Sequence, residues 1–105
     1  MPQYVKVAEV GELASGERKV VEVEGIFIAV FNVDDKYYAI EDVCTHDDGP
    51  LGDGDLDGYT VECPRHGAKF DIRTGAVLSF PAIKPVPFYP TKIEGNDVLA
   101  DIEEA

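Results

Sequence analysis

The chain has 105 residues, 45% of them hydrophobic, with five Tyr, five Phe and no low-complexity tract; this size and balance predict one compact domain with a modest core and exclude a disordered chain. Nine basic residues against 21 acidic ones give a formal net charge of −12, a field that repels nucleic-acid phosphates and anionic membrane surfaces while serving solubility or encounter with a basic protein surface. No stretch approaches the roughly 18 apolar residues of a membrane span, and Met1-Pro2-Gln3-Tyr4-Val5-Lys6 lacks the basic-then-apolar pattern of a secretory signal, so a cytoplasmic location is expected.

In chain order, apolar or alternating runs predict strands at Val5-Lys6-Val7, Lys19 to Val23, Ile26 to Phe31 and Tyr37 to Ile40. A single helical turn is the most that Val10 to Ala14 supports. Further strands are expected at Tyr59 to Glu62, Lys69 to Ile72, Ala76 to Leu78, Tyr89 to Ile93 and Val98 to Ile102. Turn chemistry separates them at Glu24-Gly25, Val33-Asp34-Asp35-Lys36, Arg73-Thr74-Gly75 and Glu94-Gly95-Asn96-Asp97. The rhythm is that of an all-β antiparallel sandwich or barrel, with Phe27, Phe31, Tyr37 and Ile40 as core residues. Two stretches break it. Thr45 to Gly58 is dense in Asp and Gly, and Pro81 to Pro90 contains four prolines; the second is expected to be a stiff cover rather than a sheet strand, because proline cannot donate to a central ladder.

The only two cysteines and the only two histidines fall in two short segments, Cys44-Thr45-His46 and Cys63-Pro64-Arg65-His66. Each segment therefore offers one thiolate and one imidazole, and in a reducing compartment the cysteines are better read as metal ligands than as a disulfide. Tetrahedral zinc is one reading of such a set. Zinc motifs commonly group like ligands, whereas here each loop mixes them, which suits a binuclear centre with Cys44 and Cys63 on one iron and His46 and His66 on the other.

Cys-x-His, a gap of 16 residues, then Cys-x2-His-Gly resembles the signature of Rieske proteins. The likeness continues through Cys63-Pro64-Arg65-His66-Gly67-Ala68-Lys69-Phe70-Asp71, the Arg73-Thr74-Gly75 turn and Phe80-Pro81-Ala82, and covers most of the chain from about Glu41 onward. The resemblance implies a Rieske-like antiparallel β-sandwich or barrel forming one domain over residues 1–105. A small cluster-binding lobe of two loops, about residues 42–82, would hold one [2Fe–2S] cluster through Cys44, His46, Cys63 and His66. The histidines would lie at the tip, each ligating through one ring nitrogen and presenting the other to a partner, and the segment near Pro81 would supply a third wall.

Departures from the respiratory branch of that family narrow the expectation. Its extra loop cysteines are matched by Gly49 and Arg65, so no bridge forms, and its serine and tyrosine hydroxyls are matched by Ala68 and Phe70. Donors to the cluster sulfurs stabilise the reduced state, so their loss predicts a potential at the low end of the roughly −150 to +300 mV Rieske span. That pattern resembles the soluble ferredoxins of bacterial aromatic-ring dioxygenase systems, which implies an electron carrier, not an enzyme, relaying electrons from a flavin-containing reductase to a terminal oxygenase. The alternatives are a small Rieske subunit of a reductase of the nitrite reductase type and a zinc-binding interaction module. An oxygenase would need a second, mononuclear iron with two further histidines, and no histidine is left to serve a nucleophile either.

Other residues receive plainer readings. Asp53-Gly54-Asp55-Leu56-Asp57-Gly58 mimics a calcium loop, but Pro64 stands where the bidentate Glu belongs, so a polar turn with positive-φ glycines is expected. Pro50, Leu51 and Pro81 are expected to shield the cluster as an apolar collar, while Asp47 and Asp48 either steer a basic partner or are simply solvated.

Overall fold

The computed structural model describes residues 3–43, 54–64, 67–79 and 84–103. Strands β1 (Tyr4–Glu9), β2 (Arg18–Val23), β3 (Ile26–Val33) and β4 (Lys36–Glu41) are followed by β5 (Asp55–Asp57), β6 (Thr60–Glu62), β7 (Lys69–Asp71) and β8 (Val77–Ser79). Then come β9 (Phe88–Tyr89), β10 (Thr91–Glu94) and β11 (Asp97–Asp101). They form three antiparallel sheets, ordered β1-β11-β10, β2-β3-β4-β9 and β5-β6-β7-β8. The first two make a base and the third a lobe. The expected all-β antiparallel architecture is therefore present, and the segment read as one helical turn at Val10 to Ala14 is a chain of turns, with Glu12 N–H donating to the Glu9 carbonyl at 3.0 Å.

The continuous apolar run of β3 has a structural cause: the strand is covered on both faces. Ile28, Ala29, Val30 and Phe31 are all fully buried. Because side chains alternate along a strand, Ile28 and Val30 join Val7, Tyr37, Ala39, Tyr89, Val98 and Ala100 on the base side. Ala29 and Phe31 face the other way and pack with Ile40, Val61, Ala68, Phe70 and Ile72 under the lobe. A strand buried on one face would alternate; this one cannot. Phe31, Tyr37 and Ile40 are core residues as expected. Phe27 is not, being 53% exposed, because it shares the face of Ala29 but lies one row nearer the β2–β3 turn, where the lobe no longer covers the sheet.

Two expectations about irregular segments are corrected. Asp55–Asp57, read as part of a loop, pairs with β6 through Leu56↔Val61; its Asp-rich sequence hid a strand of which only the middle residue is half-buried. Phe88, read as part of a stiff cover rather than a sheet strand, pairs with β4 together with Tyr89, the first residue of the expected strand. It does so between Pro87 and Pro90 at the edge of the sheet, where a missing N–H costs nothing and the proline carbonyls still serve: Glu41 N–H donates to Pro87 at 2.9 Å and Asp101 N–H to Pro90 at 2.8 Å. The expected single strand Tyr89 to Ile93 is thus broken at Pro90, and the bend carries the chain from one sheet of the base to the other.

Turns follow their residues. Asp34 and Asp35 both have positive φ in the two-residue loop joining β3 and β4, as do Glu24 and Gly25 between β2 and β3, the handedness that matches strand twist. Gly75 has a different reason to be glycine. Its φ is +76°, and a Cβ there would stand 1.9 Å from the Val86 carbonyl oxygen, while Val86 N–H donates to the Gly75 carbonyl at 2.9 Å. This contact pins the proline-containing segment onto the lobe. Gly75→Ala is expected to destabilise the protein by about 2–4 kcal/mol, combining left-handed strain with a backbone collision. Gly95→Ala, where the space is open, should cost only about 1 kcal/mol; urea denaturation of the two variants checks the contrast.

Candidate metal centre

Among the four residues expected as ligands, Cys63 lies within the described residues; Cys44, His46 and His66 lie outside them. Cys63 follows β6 directly and is 1% exposed. Its backbone is held from both sides, since Cys63 N–H donates to the Ala68 carbonyl at 2.7 Å and Gly67 N–H donates back to the Cys63 carbonyl at 3.1 Å. Gly67 closes this hairpin with φ +77°, a conformation that glycine adopts without a Cβ penalty. The Cys-x2-His-Gly spacing thus reads locally as the loop between β6 and β7, with glycine required where the chain turns back.

The other expected pair begins one residue beyond Val43. Asp42 N–H donates to the Phe27 carbonyl and Val43 N–H to the Glu41 carbonyl, both at 2.8 Å, so the exit from β4 is tied to the base sheet. Val43 packs against the same buried cluster that contains Cys63, Ala68 and Phe70. The stems of both donor segments therefore rise from one core. Val86, 2% exposed, belongs to that cluster as well, which brings the chain after Pro81 alongside it; Pro50, Leu51 and Pro81 themselves lie outside the described residues.

A donor set of two cysteine sulfurs and two imidazoles, with the one described sulfur enclosed by apolar side chains, fits a redox-active iron–sulfur group. Among the described residues no group of three or more His, Cys, Asp or Glu side chains converges as a metal site. Ala68 and Phe70, the positions without hydroxyls, are both fully buried beside Cys63.

Sequence reasoning missed the seam between lobe and base. The Tyr38 ring of β4 meets the Tyr59 ring edge-on at 5.6 Å, and the Arg73 guanidinium lies 4.3 Å from the Tyr59 ring centre. Arg73 is fixed in turn by Asp71, through Nε to Oδ1 at 3.1 Å and Nη2 to Oδ2 at 3.0 Å. The hydrogen bonds from Arg73 hold the Asp71 carboxyl below its ordinary range and raise the guanidinium, while burial pushes the Tyr38 phenol up. No motif announces such a stack, whose members come from β4 and from the turns after β5 and β7.

With that geometry in view, the family becomes clear: the model of the Rieske [2Fe-2S] domain matches residues 3–90, and the chain belongs to that family. Its cofactor is accordingly a Rieske-type [2Fe–2S] cluster, which sets aside the zinc reading. The chain is 43% identical to the biphenyl dioxygenase ferredoxin subunit of Pseudomonas sp. (strain KKS102), over 97% of this chain and 94% of the relative. It is 40% identical to the 3-phenylpropionate/cinnamic acid dioxygenase ferredoxin subunit of Escherichia coli (strain K12), over 91% of each. Among solved structures it superposes on the ferredoxin of carbazole 1,9a-dioxygenase from Nocardioides aromaticivorans IC177 with a TM-score of 0.89, at 32% identity and covering 95% of this chain and 96% of that one. A chain in a complex of reduced oxygenase and oxidized ferredoxin of carbazole 1,9a-dioxygenase gives a TM-score of 0.91 at 33% identity, covering 97% and 95%.

The Asp71–Arg73 pair gives the seam a pH dependence. Because the folded-state carboxyl titrates below its ordinary 3.8, its contribution is fully present above that value and is lost as the pH falls through the lowered one. Asp71→Asn should therefore be less stable than the parent at about pH 7, with the gap closing below about pH 4; denaturation curves across that range test it.

Proposed function

We propose that this chain is the electron-carrying ferredoxin of an aromatic-ring dioxygenase system, with no catalytic step of its own. In this reading Cys44 and Cys63 hold one iron and His46 and His66 the other, on a single domain in which the lobe carries the ligands and the base supports it. The carrying observation is the burial of Cys63 in a hairpin whose core also receives Val43, the residue before Cys44. The relatives named above, ferredoxin subunits matched over nearly their whole length, support the same role.

When bound, the cluster supplies reversible storage of one electron at the histidine-held end. The chain's residues determine access and potential. Apolar side chains around Cys63, among them Ala68 and Phe70, keep water from the sulfur side, and the absence of hydroxyls at those two positions leaves the reduced state less stabilised, favouring a potential in the lower part of the Rieske span. The expected acceptor is a terminal oxygenase, by analogy with the oxygenase–ferredoxin complex of carbazole 1,9a-dioxygenase. The expected donor is a flavin-containing reductase, and the net charge of −12 favours basic contact surfaces on both.

Anaerobically purified protein should contain two irons and two acid-labile sulfides per chain, the stoichiometry of the cluster, and give a rhombic EPR signal on reduction. His46→Ala and His66→Ala should each abolish that signal; its persistence in either would refute the ligand assignment. Ala68→Ser combined with Phe70→Tyr is expected to raise the midpoint potential in protein-film voltammetry, and an unchanged midpoint would refute the account of the low potential.

A further inference from the structure

We propose that Arg18 is a positioning residue for the cluster, fixing the far end of the first ligand loop to the base. The guanidinium Nη1 of Arg18 donates to the Gly54 carbonyl, across 36 residues of chain. Gly54 is buried, and it directly follows residues 44–53, the segment carrying Cys44 and His46. Arg18 opens β2 opposite Phe31, on the sheet face that lies beneath the lobe. The near end of the same segment is tied to the same sheet by the bond from Asp42 N–H to the Phe27 carbonyl at 2.8 Å.

The two donor segments thus share an apolar core but are held by different directional bonds. Cys63 belongs to a hairpin whose bonds, Cys63 to Ala68 and Gly67 to Cys63, are internal to the lobe. The described residues that flank the segment of Cys44 and His46 are bonded to the base sheet, Asp42 to Phe27 and Gly54 to Arg18. A binuclear cluster shared between the two donor segments is sensitive to any slip between lobe and base. Apolar packing resists separation but is non-directional, so sideways registry depends on oriented contacts. A charged donor on a buried carbonyl is such a contact, stronger than a neutral bond and costly to leave unmade.

The inference rests on the ligand assignment proposed above. Its test compares Arg18→Met, which keeps the length of the stem and removes the donor, with Arg18→Lys, which keeps a cationic donor. In cluster-loaded protein, Arg18→Met should shift the g-values of the reduced centre and the visible circular dichroism, and should release iron to a chelator about fivefold faster. Arg18→Lys should stay close to the parent in all three. A Met variant with the parent's spectra and release rate, or Lys and Met variants equally displaced, would overturn the proposal. If Arg18→Met does not accumulate folded, the parent decides: slow exchange of the Arg18 Nη protons by NMR supports the bond, and solvent-rate exchange refutes it. A parent lacking iron and labile sulfide would instead refute the ligand assignment, so the two failures are distinguishable.

Discussion

The double burial of β3, an inner strand of the sheet β2-β3-β4-β9, is the constraint on which the rest of the structure depends. One face of β3 closes the base with Ile28 and Val30, and the other supports the lobe with Ala29 and Phe31. A one-residue slip in this strand would exchange the two sets and empty both cores at once. The two-residue turns at Glu24-Gly25 and Asp34-Asp35 set that register from either end. The lobe has a short sheet of three-residue strands, and it draws on the base for a floor. Cys63 shares a buried cluster with Phe31 and Ile40 of that floor, so the base shapes the surroundings of Cys63.

How much of this was legible in the sequence depended on whether a signal was local. The turn at Cys63 was legible in the Cys-x2-His-Gly spacing, because its glycine, Gly67, sits where the chain turns back with positive φ. The antiparallel all-β class was legible from turn residues and period-two runs. The strand Asp55–Asp57 was not, because three consecutive short residues with acids at both ends carry a turn-like composition, and only pairing with β6 makes them a strand. Phe27 was misjudged for a related reason: hydrophobicity says that a side chain can be buried, but the extent of the covering lobe decides whether it is.

The links between lobe and base were the least legible. Tyr38, Tyr59 and Arg73 meet across chain separations that no spacing rule encodes, and Arg18 reaches Gly54 from a strand that reads as an ordinary edge. Tertiary hydrogen bonds of this kind leave no periodicity. They are found only once the sheets are assembled, although they bear on how the lobe sits on the base.

The outermost pairing of the base has a consequence for the birth of the protein. Tyr4 stands in register opposite Asp101, and Ala8 opposite Val98, whereas the lobe is stitched from neighbours in sequence. On an emerging polypeptide the lobe strands have their partners early, while β1 waits, unpartnered, until β11 has been made. Maturation of such a chain is therefore gated by β11, and the edge left open in the interval is the surface for a chaperone to guard.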